Sequence, residues 1–254
     1  MSLTRWVAEP AAEHAAASGL SSAVPPLPSL EVVYLTDPEA VAEVLPPPLT
    51  PAPQPRVHVR ITDIDLRFGE HRHKELVGFF AVDALLDGEP GEYPLLIPID
   101  LEDAVAISRE RYGEPKKLAD ITLTRGDDGL VHGSITRKGV TFIEINGRVT
   151  GGLPVPAPYP ARQFWYKFMP AVEGTGFDGD PLLVVMEQVR KPEAVESVEG
   201  ELILRDLPSC PVVDLPVREL VSIQWTRRSS ENKHKVVGPV DPAGFARHVP
   251  IRYH

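Results

Sequence analysis

Two adjacent lysines, Lys116 and Lys117, are the residues of this chain best placed for covalent chemistry. They follow Pro115, which lacks a backbone N–H donor and fixes the direction in which the chain leaves a turn. A lysine amine attacks a ketone to form a Schiff base only when it is unprotonated, so a reactive lysine needs a pKa well below its reference value of about 10.4. The alternative is a solvated lysine pair at a strand edge, where the charges oppose aggregation.

Two physical effects lower a lysine pKa. A second ammonium about 6 Å away costs roughly 2.8 kcal/mol at an effective dielectric constant near 20, which corresponds to about two pKa units. Desolvation in an apolar cavity is the other effect. If Lys116 and Lys117 lie on an extended segment, their side chains point to opposite faces. Burial of Lys116 is therefore the principal cause that we expect, with Lys117 a helper at most.

Other candidate sites are weaker. His71 and His73 could present two imidazoles on one side of a strand, but a third ligand is not evident, so a polar loop is favoured over a metal site. Cys210 is the one cysteine and is interpreted as a small buried hydrophobe. The glycines of residues 147–152 lack the Lys-Ser/Thr pattern of a phosphate loop. We expect no metal and no organic cofactor.

Composition and charge limit the possible partners. The chain has 254 residues, 43% of them hydrophobic, with 26 basic and 36 acidic residues and a formal charge of -10. An acidic chain repels a phosphate backbone, so nucleic acid is an unexpected partner. No apolar run approaches the roughly eighteen residues that span a bilayer, and the N-terminus lacks the apolar core of a signal peptide, so we expect no membrane association and a cytoplasmic location. Residues 1–28 are predicted to be an arm that is poorly ordered or packs over a partner, and residues 29–254 a single domain.

The elements that must position the lysines are predicted to be mostly strands. The 28 prolines argue against a helical bundle, and hairpin turn signals recur after residue 118. Strands are predicted at residues 31–35, 57–64, 75–86, 93–99, 119–124, 130–136, 140–149, 164–169, 182–189, 201–204 and, by preference over a helix, 215–225. This pattern predicts an α+β fold with a mostly antiparallel, curled sheet.

Two short helices complete the prediction. The first runs to about Leu45 after an N-cap at Asp37 with proline at the first helical position. The second covers residues 101–112, with Asp100 as its N-cap and Gly113 as its end. The lysine pair follows this second helix directly and leads into a strand.

Several motifs surround the lysine pair. They are the strand opening Gly91-Glu92-Tyr93, Asp100, Arg109-Glu110 in the helix, and Pro115-Lys116-Lys117-Leu118. Three less specific motifs lie elsewhere in the chain, at Tyr34-Leu35-Thr36-Asp37, at residues 44–49 and at residues 215–220. At these positions the sequence resembles the acetoacetate decarboxylase family, over about residues 30–222.

The resemblance implies a curled antiparallel sheet or cone-like barrel that encloses a hydrophobic cavity, with a few short helices. It assigns the Schiff base to Lys116 and an assisting role to Lys117, and its active-site glutamate matches Glu75. Activation of the lysine by desolvation or by a neighbouring cation is the established explanation for acetoacetate decarboxylase itself. The protonated imine would accept the electron pair released when a β-keto acid loses carbon dioxide. The resemblance also implies a homo-oligomer acting on a small keto acid.

Two departures from the family weaken the decarboxylase assignment. The family places a carboxylate-binding arginine just before the first strand, but residues 26–30 contain no basic residue. The nearest substitutes are Arg56 and Arg60, of which we take Arg60 as a candidate substrate-binding residue. Glu114 precedes the proline of the lysine pair, where it could act as an acid or base on the substrate, or pair with Arg111. Aldol or dehydration chemistry on another keto acid, and a binding protein without turnover, therefore stay as alternatives.

Overall fold

The computed structural model describes residues 22–68 and 71–253. The strands are β1 (Ser22–Leu35), β2 (Thr50–Pro51), β3 (Arg56–Phe68), β4 (His71–Leu86), β5 (Glu89–Ile99), β6 (Lys116–Leu118), β7 (Asp120–Arg125), β8 (Leu130–Arg137), β9 (Val140–Gly152), β10 (Tyr159–Lys167), β11 (Leu182–Leu204) and β12 (Glu219–Pro239). The helices are α1 (Pro38–Val44), α2 (Glu102–Tyr112) and α3 (Pro242–Ala246), with 3-10 turns at Val212–Asp214 and Pro250–Tyr253.

The strands form one curled sheet in the order β10-β5-β4-β3-β1-β12-β11-β9-β8-β7, with β2 on β4 and β6 on β5. β10 pairs with β5 on one side and with β11 on the other. The series of paired strands from β5 to β11 is therefore closed by β10. Within the described residues, the pairings of β5 with β6 and with β10 are parallel and the others are antiparallel. The predicted α+β fold with a mostly antiparallel, curled sheet is confirmed.

Strands β11 and β12 are longer than the sequence predicted. β11 is continuous through Pro192, where two separate strands were expected. A register shift between Pro192 and Ala194 accommodates the proline, which cannot donate to the sheet. β12 begins at Glu219 and continues well past the predicted end at Trp225. The preference for a strand over a helix in this region is confirmed.

Strand β1 begins inside the segment that was predicted to be an arm. Its pairing with β12 starts at Ser22, opposite Asn232, and continues through Leu27, opposite Arg228. Residues 1–21 lie outside the described part of the chain, so for these residues the arm stays a prediction. The last residues of the predicted arm supply an edge of the inner chamber described below.

Both predicted helices are present, and Asp37 occupies the predicted N-cap position of α1, directly before Pro38. The Asp37 carboxylate makes no cap hydrogen bond to α1 and instead accepts from Arg218 Nε at 2.8 Å and Nη2 at 2.7 Å. The prediction that Asp100 caps α2 was wrong, because Leu101 occupies that position. The Asp100 carboxylate accepts from the Leu76 backbone N–H at 2.8 Å, which ties the entrance of α2 to β4.

One face of each long strand packs into the main hydrophobic core. In β3 the core residues are Val57, Val59 and Ile61, each 0% exposed. In β4 the same face carries Phe80 and Val82, which belong to the same cluster. Because strand side chains alternate between two faces, the intervening residues of β3 and β4 must point to the other side of the sheet. Those residues build the candidate site.

The end of α2 is sensitive to side-chain volume at one glycine. Gly113 has φ +80°, and a Cβ added there would lie 2.4 Å from the Tyr166 carbonyl oxygen. We expect Gly113→Ala to lower the free energy of unfolding by about 2–4 kcal/mol, since the left-handed conformation and the clash with backbone both add cost. The control Gly139→Ala has φ +78° with nothing within 4 Å of the added Cβ, so it should lose only about 1–2 kcal/mol. Urea denaturation measures both values, and equal losses would contradict the argument.

Candidate active site

The turn between α2 and β6 fixes the position of Lys116. Gly113 ends the helix, and its N–H donates to the Arg109 carbonyl at 3.0 Å. The Pro115 carbonyl accepts from the Ile97 N–H at 3.0 Å, and β6 then runs parallel to β5 with Lys116 opposite Ile97. The backbone at Lys116 is therefore held against a long strand rather than in a mobile loop.

Alternation of side chains in this extended segment separates the two lysines. Glu114 and Lys116, two residues apart, border the same chamber on the inner side of the sheet. Lys117 borders a different cavity. The expected divergence of the two lysine side chains is therefore observed.

The chamber has a volume of about 240 Å³ and carries three ionisable side chains at one end. Lys116 Nζ lies 3.3 Å from Glu114 Oε2, and the two side chains are only 11% and 13% exposed. Glu75 of β4 is 6% exposed and borders the same space. Burial raises the pKa of Glu114; Lys116 opposes this rise and the Glu75 carboxylate adds to it. We call Lys116, Glu114 and Glu75 the lysine end of the chamber.

Two buried arginines sharing one carboxylate lie at another part of the chamber wall. Arg60 of β3 donates to Glu92 Oε1 at 2.8 Å and Oε2 at 2.6 Å. Arg190 of β11 donates to the same two oxygens at 3.1 and 2.9 Å, and Gln163 Nε2 adds a bond to Oε2 at 3.3 Å. Burial by itself would raise the pKa of Glu92, but the guanidinium groups of Arg190 and Arg60 hold it well below its usual range. We call Arg60, Arg190 and Glu92 the arginine end.

Apolar side chains line the wall between the two ends. They include Phe79, Ile97, Trp165 and Met186, all nearly fully buried. The Arg60 guanidinium lies 3.9 Å from the centre of the Phe79 ring, a cation–π contact. The chamber therefore combines an apolar middle with charged groups at both ends, a composition typical of small-molecule sites.

Lys117 is engaged on the opposite side of β6. Its Nζ donates to the carbonyl oxygens of Ser209 and Ile251, at 2.6 Å each. It borders a second cavity of about 400 Å³ between these segments. Burial lowers the pKa of Lys117 from 10.5 to about 8. These contacts join β6 to two distant parts of the chain, the region before the 3-10 turn Val212–Asp214 and the C-terminal turn.

The structure brings together four of the five residues selected from the sequence. Lys116, Glu75, Glu114 and Arg60 all border the 240 Å³ chamber. Lys117 borders the other cavity and so meets the rest only through the backbone of β6. The alternative that Glu114 pairs with Arg111 was wrong, because among the described residues its ion pair is made with Lys116.

Sequence reasoning missed Arg190 and Glu92. Arg190 lies in the predicted gap between two strands, and Glu92 was noted only as part of the strand opening. The local signal was weak, because Arg190 begins a charged stretch with a proline and Glu92 lies just before an apolar run, and both patterns are typical of exposed charged residues. Their pairing across three strands follows from the closure of the sheet at β10, which local patterns do not reveal.

The described residues also bear on whether the chain has a metal site or a membrane-spanning helix. Among them, no group of three or more His, Cys, Asp or Glu side chains is placed to hold a metal ion. The side chains of His71 and His73, considered above as metal ligands, lie outside the described part of the chain. None of the described helices is long and apolar enough to cross a bilayer.

The sequence of this chain matches a known protein family over most of its length. The family model for acetoacetate decarboxylase matches residues 13–237. An acetoacetate decarboxylase of Burkholderia cenocepacia is 29% identical over 204 residues, covering 76% of this chain and 78% of the relative.

Solved structures share the fold. The acetoacetate decarboxylase of Legionella pneumophila superposes with a TM-score of 0.73 at 20% identity, covering 87% of this chain and 88% of that one. The enduracididine biosynthesis enzyme MppR, complexed with pyruvate, gives a TM-score of 0.70 at 16% identity, covering 85% of this chain and 91% of that one. At these identities the likeness concerns the fold.

The lowered pKa of Lys117 predicts a pH-dependent stability. In the folded protein this pKa is about 8, whereas the unfolded chain keeps the ordinary value of 10.5, so unfolding takes up a proton between these values. The free energy of unfolding of the wild type, relative to Lys117→Met, should therefore rise with pH across that window, by less than about 1.4 kcal/mol per pH unit. Urea denaturation at several pH values measures this difference, with Lys233→Met, at an exposed lysine, as the control. A flat or falling difference would show that the Lys117 pKa is not lowered.

Proposed function

We propose that this chain, which belongs to the acetoacetate decarboxylase family, is a lyase that forms a Schiff base between Lys116 and a small keto acid. The simplest reaction is decarboxylation of a β-keto acid. The observation that carries the proposal is the enclosure of Lys116 beside Glu114 in a chamber of about 240 Å³. A chamber of this volume, just below the usual range for drug-sized ligands, suits a small keto acid.

The pair formed by Lys116 and Glu114 supplies the reactive amine. An ammonium 3.3 Å from a carboxylate can transfer its proton directly, and the raised pKa of Glu114 favours its acceptance of that proton. The neutral amine then attacks the substrate ketone, a C–N bond forms and water leaves. In this chain a carboxylate in the same chamber thus takes the activating role, and Lys117 supports β6 from behind.

The protonated imine makes loss of carbon dioxide possible. The C–C bond to the β-carboxylate breaks, and its electron pair moves into the imine to give an enamine. The α-carbon then takes a proton, and water hydrolyses the imine to release the ketone and the lysine amine. Glu114 and Glu75 border the space where these proton transfers occur, so we assign proton transfer to Glu114 and substrate positioning or proton transfer to Glu75.

A second candidate is an aldolase or dehydratase that uses the same imine. The observation that favours it is the presence of two carboxylates, Glu75 and Glu114, at the lysine end. A pair of carboxylates can remove and return protons at two carbons, as condensation and dehydration require. The fold is shared with MppR, which has been solved with pyruvate bound. Release of carbon dioxide from a β-keto acid distinguishes the two reactions, and absence of any turnover would indicate a binding protein.

Reductive trapping tests the imine. Borohydride added with a keto acid should attach the reduced substrate to Lys116, and mass mapping of peptides locates the adduct. We expect Lys116→Arg to abolish both the adduct and turnover, whereas Lys117→Arg, which keeps the charge on the other side of β6, should still form the adduct. An adduct at Lys117, or full activity of Lys116→Arg, would contradict the proposal.

The role of Glu114 has its own test. Glu114→Gln should lower turnover by roughly 10²-fold, the usual scale for loss of an acid–base group, while the adduct at Lys116 still forms, but more slowly than in the wild type. Glu110→Gln, at an exposed position on α2, is the matched control and should leave turnover as in the wild type. Unchanged turnover in Glu114→Gln would remove Glu114 from the reaction.

A further inference from the structure

The lysine end and the arginine end of the chamber are separated along the strands. On β5, Glu92 precedes Ile97, the partner of Lys116, by five residues, which is roughly 16 Å at about 3.3 Å per residue. On β3, Arg60 precedes Ile64, the partner of Glu75, by four residues, or roughly 13 Å. The side chains of Lys116, Arg60 and Arg190 nevertheless border one chamber, so the gap between their charged groups is shorter than these backbone separations and a single ligand can contact both ends. Glu92 borders a neighbouring cavity of about 620 Å³, which the two arginines also line.

The arginine end carries positive charge in excess. Arg60 and Arg190 are 5% and 6% exposed and share the single carboxylate of Glu92. The hydrogen bonds from these arginines and from Gln163 engage both Glu92 oxygens. A buried charge without a counter-charge is costly, so an additional anion is stabilised at this position.

The other carboxylates near the chamber each have a basic partner. Glu31 accepts hydrogen bonds from Arg228 and from Thr226, the latter at 2.8 Å. Glu114 is paired with Lys116 at the lysine end, and the Glu75 carboxylate acts on that same group. Glu31 also acts on Arg60 and Arg190, so Arg60, Arg190 and Arg228 face two carboxylates, those of Glu31 and Glu92. The described side chains therefore leave one positive charge for a ligand.

We propose that the substrate carries a carboxylate remote from its reacting carbonyl, and that Arg190 and Arg60 bind this carboxylate while the carbonyl reaches Lys116. This inference rests on the proposed function. In a β-keto monoacid the one carboxylate is only two bonds from the ketone, and it is the group that leaves. A keto diacid supplies both a leaving carboxylate next to the imine and a second carboxylate for the arginine end.

The reaction balances with no further reagent. The C–N bond forms with loss of water, the C–C bond to the β-carboxylate breaks, and its electron pair enters the imine as carbon dioxide departs. The remote carboxylate stays bound throughout. A proton and a water molecule then release a keto monoacid and restore the amine.

A matched pair of substrates tests the inference. 3-Oxoadipate and 3-oxohexanoate have the same chain length and the same β-carboxylate, and differ in the far end, which is a carboxylate in one and a methyl group in the other. We expect the wild type to prefer 3-oxoadipate in kcat/KM by at least about tenfold, the scale of a charge-assisted hydrogen bond. In Arg190→Gln this preference should fall toward one, because Arg60 and Glu92 then neutralise each other.

A double variant checks the charge argument. Arg190→Gln with Glu92→Gln leaves Arg60 as the one charged group of the trio and so restores an excess positive charge, which should recover several-fold of the preference. Arg205→Gln, which disturbs the exposed pair with Glu144, is the control and should keep the wild-type preference. A wild type that does not distinguish the two substrates overturns the inference whether or not the variants fold.

The outcomes separate this inference from the proposed function. Borohydride trapping of both substrates at Lys116 with equal kcat/KM would overturn the remote-carboxylate site and leave the imine enzyme standing. Absence of any adduct at Lys116 with either substrate would overturn the proposed function itself. A preference for 3-oxoadipate that survives in Arg190→Gln would assign the remote carboxylate to other groups.

Discussion

The alternation of side chains along one three-residue strand decides which groups meet in the chamber. Pro115 and the pairing of β6 with β5 keep this segment extended, so Glu114 and Lys116 share one face and Lys117 takes the other. Within the chamber, Lys116 contacts Glu114 with both side chains largely buried, where charge interactions are stronger than in bulk water. Two chemically identical neighbours thereby acquire different roles, one toward a ligand and one toward the backbone of distant segments.

The sequence was sufficient for most of the fold and for the lysine end of the site. Turn residues and apolar alternation located most of the strands, and the helix that ends at Gly113 was predicted nearly to the residue. The divergence of Lys116 and Lys117 follows from strand geometry alone. Glu75 came from the family resemblance rather than from any local pattern, since a glutamate in a strand is most often on a solvated face.

The remainder depends on contacts between residues far apart in the chain. Arg60 and Glu92 lie on β3 and β5, the two strands that flank β4, whereas Arg190 of β11 reaches Glu92 because β10 joins both β5 and β11. The predicted cap at Asp100 was wrong for a related reason, since its carboxylate binds the Leu76 N–H of β4 instead of the end of α2. Local propensity describes the structure that a segment prefers by itself. The positions of these residues depend instead on contacts with distant strands that form only in the folded sheet.

The division of the chamber into two ends built on different strands has an evolutionary consequence. The reacting amine and its carboxylate are carried by the turn after α2, whereas the arginine end is carried by β3, β5 and β11. Substitutions in those strands can therefore redirect which molecule is accepted without disturbing the groups that make and break bonds. Such a separation lets one fold acquire new substrates while it keeps the same reaction chemistry.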